Sequence, residues 1–136
     1  MEPVEFFVSK KKYYKHEHVV CNAVQRTLQI LKKKGTVELH MVTNEEMKRI
    51  NKDTRNVNKS TNVLSFESLG FMRADKTHYL GEIYLAPDFI QKKKQDIELL
   101  AVHGVLHLLG YTHEKKRDRI VMEKVEDRIL SSLKNS

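Results

Sequence analysis

Apolar and polar positions repeat with two different periods along this chain, and each change of period predicts an element. Val37, Leu39 and Met41 alternate with polar neighbours, which predicts a half-buried strand. Val4 to Val8, Val63 to Phe66 and Tyr79 to Ala86 read as three more strands. From about His16 to Lys34 the spacing becomes helical. Val20, Val24, Thr27, Leu28 and Leu31 recur on one face, and Gly35 follows as the expected stop. Thr43 with Glu46 three residues later is a capping box, opening a short helix through about Arg49. The polar run from Asn51 to Asn62 reads as a loop, and Leu69 to His78 as a connector. Pro87 suits the first turn of a following helix. Helical patterning then runs to Gly110, with a break near Lys92 to Gln95.

The second half of that stretch is apolar on all sides of its axis. Ile97, Leu99, Leu100, Ala101, Val102, Val105, Leu106, Leu108 and Leu109 leave no polar face, which predicts a buried helix. A last helix is expected from about Lys115 to Leu133, with Met122, Val125, Ile129 and Leu133 on one side. The order of strands and helices predicts a single mixed sheet packed against helices. No repeat or linker interrupts residues 1–136, so a single domain is expected.

Composition narrows the class. At 136 residues a chain buries roughly 68–70% of its unfolded surface, enough for a core without staples. The single cysteine, Cys21, excludes an intrachain disulfide and a cysteine metal cluster; it is expected to be a buried packing residue on the first helix. The longest apolar run, Leu99 to Val102, is too short to span a membrane. The amino terminus lacks the basic start and long apolar stretch of a secretory signal. A soluble, cytoplasmic protein is expected. The net charge of +7 favours a polyanionic partner, or else is a solvated surface. The bases are scattered from Lys10 to Arg119, so no basic amphipathic segment marks a membrane surface.

The buried helix carries the chemistry. His103 and His107 are four apart and share a helical face. Gly110 permits a sharp exit, and His113 follows at a distance from which it can turn back toward the other two. Three neutral imidazoles with one open position form a catalytic zinc arrangement. One pair of histidines four apart is expected by chance roughly a third of the time in such a chain; the third at a fixed offset lowers this to about 0.02. The bland alternative is three hydrogen-bonded histidines. A buried imidazole needs a partner for its nitrogen, and one metal supplies that partner to all. The same spacing occurs in a class of zinc proteases whose general base is a glutamate after the first histidine. Gly104 stands there and can accept no proton.

The run HGVLHLLGYTHE, His103 to Glu114, resembles the signature of the YbeY family of bacterial metal-dependent endoribonucleases. TNVLSF (Thr61 to Phe66, with Arg55 upstream), LGEIYLAPD (Leu80 to Asp88) and MEKVEDRIL (Met122 to Leu130) match further blocks in the family's order. The resemblance implies an α+β fold, with a small mixed central sheet and helices around it, that His103, His107 and His113 bind one Zn2+ per chain at the end of the buried helix, and that Arg55 is a catalytic arginine. It implies single-strand-specific RNA cleavage, with roles in 16S ribosomal RNA 3′ maturation and ribosome quality control. The implied partners are single-stranded RNA and ribosomal particles, with no membrane and no DNA. Thr112, Glu67 and Glu82 depart from the family's usual aspartate, proline and aspartate, and the segment between Pro87 and His103 is short.

Zinc can bring the pKa of a water to about 7 and polarise a phosphate oxygen, and Arg55 offers a planar fork for the phosphate. Whether water or the RNA 2′-hydroxyl attacks stays open. Glu114 is expected to open the last helix rather than to act as a base. Glu82 either reaches the metal pocket or lies beside it. Glu123 and Glu126 make helix-surface pairs or bonds to metal ligands. Tyr13, Tyr14 and Tyr111 stack on bases or pack, and Ser65 is an ordinary strand residue. Two other functions compete: a ribosome-associated RNA-binding assembly factor with a zinc site, and a metal-dependent peptidase, against which Gly104 stands.

Overall fold

The structure, a computed structural model, describes residues 3–68 and 78–135. Its elements are β1 (Val4–Val8), a 3₁₀ segment (Lys11–His16), α1 (Glu17–Ile30), β2 (Thr36–Met41), α2 (Asn44–Arg55), β3 (Val63–Glu67), β4 (Tyr79–Leu85), α3 (Pro87–Lys92), α4 (Ile97–Leu108) and α5 (Lys116–Lys134). The fold is α+β, as the resemblance implies. The four described strands form one mixed sheet in the order β1-β2-β4-β3. β2 pairs in parallel with β1 and β4, and β3 runs antiparallel along β4.

Alternation sorts the sheet into two faces, because successive strand side chains point to opposite sides. Val37, Leu39, Met41, Ile83 and Leu85 are all fully buried and form one core with Val20, Val24 and Leu28 of α1. Ala101, Val102, Val105 and Leu106 of α4 complete it, with Met122 and Ile129 of α5. Each of the larger aliphatic chains contributes roughly 1.5–3 kcal/mol by leaving water. Glu38, His40, Glu82 and Tyr84 occupy the intervening positions and face the other way. Met47 and Ile50 of α2 pack on part of that second face, with Leu64, Phe66 and Tyr84.

α4 lies directly on the sheet at Gly104. A Cβ there would meet the Ile83 Cγ2 at 2.9 Å and the Ser65 Oγ at 3.2 Å. The position after the first histidine therefore faces the sheet, and a glutamate could not occupy it without forcing α4 away.

Several boundaries differ from the pattern. α1 ends at Ile30, not Lys34; Lys32, at φ 55°, takes the left-handed conformation expected of Gly35. A 3₁₀ segment precedes α1 where the pattern predicts the helix already begun. α2 runs six residues beyond Arg49, so residues 51–55 are helix rather than loop. It stops at Asn56, which is left-handed at φ 57°. Asn51 is buried there and donates its side-chain amide to the Lys59 carbonyl at 2.9 Å. That bond replaces the apolar anchor that periodicity looks for. The break between α3 and α4 falls where expected, with Asp96 capping α4 through the amides of Glu98 and Leu99. Except for His78, the expected connector from Leu69 to His78 lies outside the described residues.

Candidate metal centre

The histidines converge because of how α4 ends. His103 and His107 stand one turn apart on the half-buried side of α4. Gly110, at φ 96°, reverses the chain, and nothing lies within 4 Å of where its Cβ would be. Its glycine serves conformation rather than space. His113 then returns over the other two. The ring centroids lie 4.5 Å apart for His103 and His107, 5.4 Å for His103 and His113, and 5.1 Å for His107 and His113.

Hydrogen bonds to the outer nitrogens orient two of these rings. His103 Nδ1 donates to Glu126 Oε2 on α5 at 2.7 Å. His107 Nδ1 donates to the Tyr111 carbonyl at 3.0 Å. In a neutral ring whose Nδ1 carries the proton, Nε2 is left as a bare acceptor. The two Nε2 atoms nevertheless face each other 2.9 Å apart. Two lone pairs at that distance call for a cation between them. Burial holds the His107 pKa below the ordinary histidine value, aided by His103, His113 and Arg55. It thereby favours the neutral form that a metal requires. Candidate ligand atoms of all three histidines lie within 4.8 Å of one another. The residues fit a metal ion, and the backing of His103 by a carboxylate is a recurrent device of metal-binding histidines.

The histidines open on a cavity of about 450 Å³ that Arg55, Asn62, Ser65, Thr112 and Glu114 also line. Arg55, the last residue of α2, comes from helix rather than loop. Its guanidinium carbon sits 5.9 Å from the centre of the Phe66 ring, whose edge contacts Tyr84. The structure thus brings Arg55 and the three histidines around one space.

Other expectations divide. Ser65 donates to the Gly104 carbonyl at 3.0 Å and ties β3 to α4, the ordinary strand role expected. Of the two roles open to Glu126, the structure gives the bond to His103. Glu82 lies beside the pocket and not in it: Gly81 and Ile83 face α4, so alternation turns Glu82 to the opposite face. Glu114 does not open α5, whose first flanking residue is Lys115, and lines the cavity instead. Tyr13 is buried and donates to Asp88 at 2.8 Å, so it packs. Tyr111 packs against the core and Tyr14 is exposed. Cys21 is only half-buried. Among the described residues no helix is long and apolar enough to cross a membrane.

The family model described as "Endoribonuclease YbeY" matches residues 4–134. This chain belongs to the YbeY family. The endoribonuclease YbeY of Ehrlichia canis (strain Jake) is 31% identical over 145 residues, covering 96% of this chain and 92% of that protein. The endoribonuclease YbeY of Francisella tularensis subsp. novicida is 38% identical over 108 residues, covering 71% of this chain and 67% of its own length. A protein of Thermotoga maritima solved in solution shares the fold, with a TM-score of 0.59 at 21% identity over 97% of this chain and 92% of that one.

Proposed function

We propose that this YbeY-family chain is a zinc-dependent endoribonuclease that cleaves single-stranded RNA, acting in the cytoplasm on 16S ribosomal RNA during its 3′ maturation and in ribosome quality control. We read residues 1–136 as one catalytic domain. The observation that carries the proposal is the pair of facing Nε2 atoms, 2.9 Å apart, opening on the cavity that Arg55 lines. His103, His107 and His113 would hold one Zn2+. Three protein ligands leave a position free for substrate, as catalytic zinc sites do and structural ones do not.

When bound, zinc supplies a Lewis acid for a phosphate oxygen and brings the pKa of a water to about 7. The protein does the rest. Glu126 and the Tyr111 carbonyl hold the His103 and His107 rings so that Nε2 faces inward. Arg55 offers its donors to the scissile phosphate and to the charge that develops in the transition state. The Phe66 ring fixes where that guanidinium stands. Gly104, pressed against Ile83, leaves no room for the glutamate base a peptidase of this spacing needs.

The test is cleavage of a single-stranded RNA by Zn2+-loaded protein, with and without chelator. Turnover that stops on chelation and returns with Zn2+ supports the reading. RNA binding without turnover in the loaded protein would favour an assembly factor instead.

A further inference from the structure

We propose that the sheet face opposite the three histidines carries a second divalent-cation site, formed by Glu38, His40 and Glu82. Glu38 and Glu82 are register partners across the parallel strands β2 and β4, and His40 follows two residues along on the same face. His40 Nε2 lies 3.0 Å from Glu38 Oε1 and 3.9 Å from Glu82 Oε2. Ligands that bind one ion at about 2.1 Å can stand no more than about 4.2 Å apart, and both separations fall within that limit. One donor atom from each of the three residues lies within 4.8 Å of the others.

The set differs from a solvated acidic patch in two ways. One donor is an imidazole, and all three side chains are at least half withdrawn from water, with 21–34% exposed. The imidazole is also held in place. Phe7 on β1 stacks against it at 4.9 Å and Tyr84 on β4 at 4.6 Å, each ring tilted by 15°. Phe7, His40 and Tyr84 are register partners on consecutive strands, so the ring is clamped from both sides. Two carboxylates and one imidazole make an oxygen-rich set suited to Mn2+, whereas the three imidazoles across the sheet suit Zn2+.

Protein loaded with one equivalent of Zn2+ is titrated with Mn2+. The loss of the free-ion paramagnetic resonance signal is followed, with the broadening of ring signals in the nuclear magnetic resonance spectrum. One further Mn2+ per chain is expected, with the His40 and Tyr84 rings broadened first. Glu82→Gln should weaken Mn2+ binding at least tenfold and leave zinc content unchanged. Failure to retain Mn2+, broadening of the His103, His107 and His113 rings instead, or unaltered affinity in Glu82→Gln overturns the proposal. The broadening is read on the unaltered chain, so it decides even where the substitution unfolds the protein. RNA cleavage is no part of the readout, so the ribonuclease reading and this one fail separately.

Discussion

Glu126 contributes to the candidate centre without lining its cavity. Its carboxylate fixes the proton of His103 on Nδ1 and the free lone pair on Nε2. Glu126→Gln should weaken Zn2+ affinity about 10- to 100-fold, read by competition with a chromophoric chelator; unchanged affinity would remove the carboxylate from the account. Phe66→Leu tests the other support. Losing the ring under Arg55 should reduce RNA turnover about 2- to 5-fold, from a contact worth about 0.5–1 kcal/mol, with zinc content intact. A loss of zinc in that variant would mean the ring acts on the fold and not on Arg55. Arg55 and the three histidines were legible in the sequence because spacing and a resembling motif name them directly. Glu114 was not. Every residue from His113 to Arg117 is polar, so pattern alone cannot tell the one that flanks the helix from the one that faces the cavity. Glu82 was left open for a related reason: a one-residue change of strand register reverses its face, and the register appears only in the structure.

At the level of elements, α2 carries Arg55 to the cavity, and its capping box anchors the other end. Glu46 Oε1 accepts from the Thr43 amide at 3.0 Å, and the Thr43 hydroxyl accepts from the Glu46 amide at 3.2 Å. Thr43→Ala should cost about 1 kcal/mol in chemical denaturation. The box also sets a pH dependence. Burial alone would raise the Glu46 carboxyl, but hydrogen bonds from Ser9 and Thr43, with Arg49 nearby, hold it below the usual value. A depressed carboxylate stabilises the fold above its unfolded pKa of about 4.3, and that contribution is lost as pH falls through the folded value. Glu46→Gln should therefore flatten the acid limb of the stability curve; an acid limb unchanged in shape would contradict this. The start of α2 was readable from Thr43 and Glu46. Its end was not, because Asn51 anchors the helix by a hydrogen bond to Lys59 and the last turn has no apolar residue to register a period. α4 was readable as a buried helix, and its contact with the sheet makes a sharper test. Gly104→Ala should destabilise by about 1–3 kcal/mol, since the new Cβ meets Ile83 at 2.9 Å.

Across the whole molecule, one mixed sheet separates two chemistries. The face under α1 and α4 is apolar and seats the helix that presents the histidines. The opposite face carries Glu38, His40 and Glu82 among aromatic rings. That the sheet is mixed could be read from the order of strands and helices, but the order of its strands could not. β4 is placed between β2 and β3 by its parallel pairing with β2, which precedes it in the chain by α2 and β3, and hydrophobic period does not encode that pairing. The central claim is that the metal and the cleavage share one centre. It is tested most directly by zinc content and single-stranded RNA cleavage measured together in the unaltered chain, His107→Ala and Arg55→Ala. The account predicts about one zinc per chain with turnover in the first, neither in the second, and zinc without turnover in the third. Cleavage that survives in His107→Ala would contradict it.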